Sequence, residues 1–132
     1  MQDMRYLNLF NQITHVPTRF CFKYNDFIIY CVSKPLVSKA IGEQGKNIKR
    51  IREILRAKVK VIPKPSGIGD ARHFIANIIS PVSFKDLEIK ENELIITAGS
   101  RNKAALLGRN KRRYLEMHKI VKDFFGKELK IV

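Results

Sequence analysis

The sequence predicts an α+β fold built from two copies of one unit. Each copy runs α-β-β-α-α-β, with a three-stranded sheet and its helices packed on one face. Three observations predict it. An internal repeat sets matching segments 66 residues apart, so that Ile28 corresponds to Leu94 and Gly42 to Gly108. Within each copy, stretches with apolar residues at helical spacing alternate with short runs rich in β-branched and aromatic residues. A Pro- and Gly-rich stretch, "PKPSGIGD" at 63–70, lies between the copies. The 132 residues then divide into a first module over 1–63, a short linker over 64–69 and a second module over 70–132.

In the first copy, residues 3–14 carry Leu7, Phe10 and Ile13 at helical spacing and stop short of Pro17. "RFCFKY" (19–24) and "FIIYCV" (27–32) read as strands joined by a tight hairpin at Asn25-Asp26. The second of these is apolar on both faces, which predicts cover on both, from the other module or from a protein partner. "SKPLVSKAI" (33–41) follows as a short helix, with Ser33 as its expected N-cap ahead of Pro35. After "GEQG" (42–45), "KNIKRIREILRAK" (46–58) is a longer helix with Ile48, Ile51, Ile54 and Leu55 on one face. "VKVI" (59–62) closes the unit as a strand.

The second copy repeats the plan. "DARHFIANII" (70–79) is a helix starting at an Asp70 cap, with Phe74, Ile75, Ile78 and Ile79 apolar. Strands follow at "VSFKDLEI" (82–89) and "LIITA" (94–98), turning near Glu91-Asn92. "GSRNKAALL" (99–107) is the short helix, with Ser100 as expected cap, and "GRNK" (108–111) is the turn. "RRYLEMHKIVKDFF" (112–125) presents Tyr114, Met117, Ile120, Val121 and Phe124 to a core, and Gly126 is placed to end it. Four extra residues precede the last strand, "ELKIV" (128–132).

Charge separates the function classes. Twenty-six Lys and Arg against 12 Asp and Glu give +14, a field that attracts polyanions. Asp3, Arg5 and Asn8 interrupt any secretory leader, and the longest apolar run is far short of a membrane span, so a soluble cytoplasmic protein is expected. Cys21 and Cys31 have no CxxC spacing. His15, His73 and His118 are scattered, and no metal-ligand, nucleophile-elbow or nucleotide-loop motif is present. No enzyme, metal or cofactor is therefore expected.

The two glycines of "AIGEQGKNIKRI" (40–51) carry the functional reading. Between two helices, Gly42 and Gly45 allow a sharp reversal and leave no Cβ in the way of an approaching phosphate. The helix that begins at Lys46 points its N-terminal amides and positive dipole end at the turn. Lys46 and Asn47 add a point charge and an amide. This is an anion site suited to a sugar–phosphate backbone.

A GxxG turn between two helices, after a hairpin, ahead of a last strand, and duplicated, resembles a tandem of type II KH domains. "VSKAIGEQGKNIKRIREILRAKVKVI" (37–62) and "FIANIISPVSFKDLEI" (74–89) resemble the NusA transcription factor family in its short archaeal form of two KH modules. The resemblance covers nearly the whole chain. It implies single-stranded RNA bound on GxxG loops, about four nucleotides per module, and a role in transcription termination or antitermination. The implied groove of the first module comprises Ile41, Gly42, Glu43, Gln44, Gly45, Lys46, Asn47, Ile48 and the last strand near Lys60. In the second it comprises Leu107, Gly108, Arg109, Asn110, Lys111, Arg112, Arg113 and Tyr114. Two departures stand out: Glu43 puts a carboxylate in the first turn, and Lys111 replaces the second glycine of the other.

The implied partners are nascent single-stranded RNA and RNA polymerase or its elongation complex, with the chain acting as a monomer and without membrane contact. Longer bacterial members carry polymerase-docking and S1 domains, and neither is expected ahead of residue 27. Rival classes remain open at this point. A helix-turn-helix DNA binder would read 37–51 as helix, turn and helix and would prefer duplex DNA. A ribosomal or other ribonucleoprotein component would use the same KH architecture. A nuclease lacks any carboxylate or histidine cluster here.

Overall fold

A computed structural model describes residues 4–132. The chain forms two compact units, one closing at Lys64 and the other opening at Pro65. Each follows α-β-β-α-α-β: α1 (Met4–Thr14), β1 (Phe20–Tyr24), β2 (Phe27–Val32), α2 (Val37–Ile41), α3 (Lys46–Leu55) and β3 (Lys58–Pro63), then α4 (Ala71–Ile79), β4 (Asp86–Ile89), β5 (Glu93–Thr97), α5 (Ser100–Leu107), α6 (Arg112–Phe125) and β6 (Glu128–Ile131). Each unit holds a three-stranded sheet, ordered β1-β2-β3 and β4-β5-β6. The first two strands of each pair antiparallel and the last two parallel. The chain is thus two copies of one α+β unit, as the repeat predicts. Of the first helix as read from sequence, Asp3 lies outside the described residues.

Local chemistry explains the boundaries. α1 ends before Pro17 because His15 turns left-handed at φ 58°. The buried Thr14 hydroxyl donates back to the Phe10 carbonyl at 2.8 Å and accepts from the Val16 amide at 3.0 Å. The β1–β2 hairpin turns on two residues, Asn25 and Asp26, both at positive φ, the conformation that matches strand twist and that Asn and Asp tolerate.

In the first unit Ile28, Tyr30 and Val32 of β2 and Val59 and Val61 of β3 form one core cluster with Leu7 and Phe10 of α1, Ala40 of α2 and Ile51 of α3. Tyr30 stacks on Phe10 at 4.3 Å between centroids, and its hydroxyl donates to the Tyr6 carbonyl at 3.0 Å. The aromatic body is thus buried with its polar tip satisfied. Strand alternation puts Cys21 with Tyr30 on the helix-bearing face and Cys31 on the other, so both thiols stay free. Burial, and to a lesser degree the neighbouring Cys21, push the Cys31 thiol up to about 12. It is a protonated, unreactive group. Both faces of β2 are out of solvent, as its apolar pattern predicts, with Ile29 and Cys31 buried as fully as Tyr30.

In the second unit Phe74, Ile75, Ile78 and Ile79 of α4, Leu94 and Ile96 of β5, and Met117, Ile120 and Val121 of α6 are buried. Phe74 packs against Phe124 and Phe125 at 4.8 and 5.8 Å.

Five sequence expectations need adjusting. Ile54 is 52% exposed. On the helix it lies on the far side of Ile51 from Ile48 and Leu55, which turn inward. α3 stops at Leu55, where Arg56 turns left-handed, and β3 begins at Lys58. β4 begins only at Asp86, because Val82 donates to Ile79 in a turn and paired backbone resumes at Lys85. Neither serine caps with its side chain: Gly99 is the N-cap of α5 and Ser33 makes no capping bond. Asp70 sits at the α4 cap position, but its carboxylate accepts from the Ser66 amide and hydroxyl instead.

Candidate nucleic-acid interface

The two turns have one backbone shape. Gly42 ends α2, its amide donating to Ser38 at 3.0 Å, and adopts φ 82°, ψ 164°. Gln44 (55°, 26°) and Gly45 (74°, 18°) then take two successive left-handed steps into α3. In the second unit Gly108 adopts 74°, 172°, and Asn110 (56°, 28°) and Lys111 (60°, 25°) follow the same path into α6. A turn bond closes each, from the Gly45 amide to Gly42 at 3.0 Å and from Lys111 to Gly108 at 3.1 Å. Lys111 therefore does not break the pattern. It bears the modest strain of a non-glycine in the left-handed region.

Geometry assigns the glycines different jobs. Gly42 occupies a region of backbone space open essentially to glycine alone. A Cβ there would meet the Asn47 side chain at 2.9 Å and the Asn47 amide nitrogen at 3.1 Å. A Cβ on Gly108 would meet Arg113 at 2.8 Å. A Cβ at Gly45 would meet nothing within 4 Å. So the space over the first glycine of each turn is filled by the protein itself, and in the first turn the open approach lies over Gly45.

Asn47 and Arg113 occupy equivalent positions and perform the same service. The Asn47 Nδ2 donates to the Lys39 carbonyl at 3.3 Å, and the Arg113 Nη1 to the Ala105 carbonyl at 2.8 Å. Each side chain ties the first turn of the longer helix to the end of the shorter one, fixing the angle at which the two meet over the turn. Sequence reasoning placed both residues among the ligand contacts. Their common spacing of five from the first glycine was the signal for this bracing role.

The remaining positions sort cleanly. Glu43, Gln44 and Lys46 are exposed at the first turn, and Arg109, Asn110, Lys111 and Arg112 at the second. Among the described residues no cation pairs with Glu43, so its carboxylate is not held against the turn. Ile41, Ile48 and Leu107 are half-buried beside the turns. Tyr114 is fixed as a packing residue, its hydroxyl donating to the Leu129 carbonyl of β6 at 2.9 Å.

Lys60 is not brought to the turn. On β3 it alternates with Val59 and Val61, which face the core, so it lies on the opposite face of the sheet. There its ammonium sits 4.7 Å from the centre of the Phe27 ring, with Lys58 5.5 Å from the same ring. Burial lowers the Lys60 pKa below the ordinary lysine value.

Among the described residues no group of three His, Cys, Asp or Glu side chains is placed to hold a metal ion. Among the same residues no helix is long and apolar enough to cross a membrane. The chemistry on offer is recognition of an anionic chain: two glycine-hinged turns, each opening a helix and each edged with cations.

Helix, glycine turn, helix and parallel final strand, braced by one side chain across the turn, define a class of small module that presents backbone and charge to a polyanion. The chain belongs to the KH domain family, whose model matches residues 28–103, from β2 of the first unit to α5 of the second. Among curated proteins it is similar to archaeal NusA. It is 29% identical over 89 residues to the "Probable transcription termination protein NusA" of Methanocaldococcus jannaschii, a match covering 67% of this chain and 47% of that protein. The protein of the same name from Methanococcus vannielii is 25% identical over 97 residues, covering 72% and 54%. That of Halococcus morrhuae is 26% identical over 89 residues, covering 67% and 62%. The chain thus spans about half the length of the curated relatives it matches. Among solved structures it is similar to the crystal structure of APE1850, at 25% identity and a TM-score of 0.70, covering 98% of this chain and 97% of that one.

Proposed function

We propose that this protein binds single-stranded RNA on its two glycine turns and serves as a NusA-like factor in transcription termination or antitermination, with the nascent transcript as its ligand. The observation that carries the reading is the matching backbone of the turns at Gly42–Gly45 and Gly108–Lys111, each at the N-terminus of a long helix and each with exposed cations beside it. A phosphate over Gly45 meets open space and the positive end of a helix dipole, with Lys46 exposed on the same turn; at the second turn the dipole is joined by the exposed Arg109, Lys111 and Arg112. Membership of the KH family and similarity to proteins named for transcription termination support the same reading. RNA polymerase or the elongation complex is the protein partner such a role calls for.

The helix-turn-helix alternative is disfavoured by the structure of the turn. Asn47 and Arg113 lock the two helices together, and hairpins and a parallel strand complete each unit. Fluorescence anisotropy with a labelled single-stranded RNA and a duplex DNA of equal length tests the choice. Single-stranded RNA is expected to bind at least tenfold more tightly, a difference of about 1.4 kcal/mol. Equal affinity for the two would reduce the +14 charge to a non-specific surface and remove the reading.

A further inference from the structure

Beyond the turns, the two units differ in charge. In the first, Lys46, Lys49, Arg52 and Arg56 stand three, three and four residues apart, so they form a stripe down α3 from the turn to its far end. All four are exposed. At ten residues the helix carries this stripe about 15 Å. It leads into an open groove of about 500 Å³ lined by Lys49, Arg52, Glu53, Arg56, Ala57 and Lys58.

The second unit closes the same place. Lys58 pairs with Phe27 as Glu128 pairs with Glu93, so strand register makes Lys58 and Glu128 counterparts. The helix repeat makes Arg52 and Arg56 counterparts of His118 and Lys122. There the Glu128 carboxylate contacts the His118 Nε2 and takes the Lys122 ammonium at 3.1 Å. Leu115, 60% exposed, stands where Lys49 stands in the first unit and interrupts the stripe.

In the first unit that carboxylate is replaced by a cation. Among the described residues no acid pairs with Lys49, Arg52, Arg56 or Lys58. Arg52 and Arg56 are four apart, a like-charged spacing that destabilises a helix. Arg56 also holds a left-handed conformation (φ 52°) at the helix end, where the second unit uses Gly126 (φ 67°). Two local penalties thus accompany a cluster of unneutralised cations, a pattern that fits a site completed by an anion. The partial negative charge of the α3 C-terminus, about half an elementary charge, and the Glu53 carboxylate in the same groove are outweighed by the four cations Lys49, Arg52, Arg56 and Lys58.

We infer that this groove is a second phosphate site, which holds the RNA strand after it leaves the Gly42–Gly45 turn and runs along α3. The inference rests on the RNA-binding reading above. The first unit then holds a longer stretch of RNA than the second, whose corresponding surface has Leu115 in place of a cation and holds Lys122 against Glu128.

The test compares wild type with Lys58→Glu, which copies the carboxylate of the second unit, and with the double variant Arg52→Gln/Arg56→Gln. Binding of a labelled tetranucleotide and a labelled dodecanucleotide, both single-stranded RNA of randomised sequence, is followed by anisotropy over a salt series. Both variants should leave tetranucleotide affinity within about twofold and weaken the dodecanucleotide about tenfold, with a salt slope shallower by about 0.7 per lost phosphate contact. Unchanged dodecanucleotide binding, or an equal loss for both lengths, would overturn the site while leaving the turns as the RNA contact. Absence of wild-type binding to either RNA would overturn this inference and the RNA reading together.

Discussion

Gly42→Ala is expected to lower the unfolding temperature of the first unit by roughly 8–16 °C, whereas Gly45→Ala lowers it by about half as much. The contrast follows from the turn. At Gly42 the backbone lies in the glycine-only region and a methyl group would press on the Asn47 side chain at 2.9 Å. Strain of that kind costs about 2 kcal/mol, and each kcal/mol moves the transition of a domain this small by roughly 4–8 °C. At Gly45 the conformation is ordinary left-handed and the space is empty, so the cost is about 1 kcal/mol. The second unit already accepts that cost at Lys111. Thermal denaturation followed by circular dichroism measures both. Equal costs at the two positions would contradict the assignment of separate roles to the two glycines.

The double variant Gln44→Asp/Lys46→Glu is expected to weaken single-stranded RNA binding between about tenfold and a hundredfold, or roughly 1.4–2.7 kcal/mol. It takes residues 43–46 from a net charge of zero to −3. Both side chains are exposed, and the Asn47 brace is untouched, so the fold should be unaffected. The second turn works from a different balance. Residues 109–112, "RNKR", carry +3, so Arg109→Asp/Asn110→Asp should cost more at low salt than at high salt, and the wild-type contribution of this turn should be the more salt-sensitive one. Anisotropy titrations at several salt concentrations read both effects. A first-turn variant that binds as wild type does would remove that turn from the interface.

The order of elements was legible because the chain states it twice. The strand-like run at 27–32 and the glycine at 42 have partners 66 residues on, so each unit corroborates the other. The Asn25-Asp26 hairpin was legible from turn chemistry alone, since few residue pairs tolerate two positive φ values. The position of the turns was legible for the same reason. Their internal logic was not. Whether Asn47 reaches a ligand or the Lys39 carbonyl depends on how far α2 and α3 close over the turn, a tertiary distance that no local spacing encodes. The sequence likewise draws attention to the absence of a Cβ at Gly42, but only packing reveals that Asn47 occupies the room.

Other discrepancies have local causes. Lys60 alternates with Val59 and Val61, so its place on the opposite face could be read once the valines were assigned to the core. Residues 82–84 look like strand by composition but follow Ser80-Pro81 and lead out of a turn, and pairing resumes only at Lys85. Ile54 fits a loose helical period and misses the actual stripe by one step. The charge asymmetry at the ends of α3 and α6 lay beyond reach, because only strand register identifies Lys58 with Glu128.

If the protein works as proposed, its two turns touch RNA. The most direct measurement is an NMR titration of the isotopically labelled protein with single-stranded RNA, following every backbone amide. The largest shifts should fall on residues 42–47 and 108–113, those of the first unit should continue along α3 to Lys58, and Gly45 and Lys111 should be among the most affected. Shifts confined to α1, α4 or the β1–β2 hairpin, with both turns silent, would contradict the proposal.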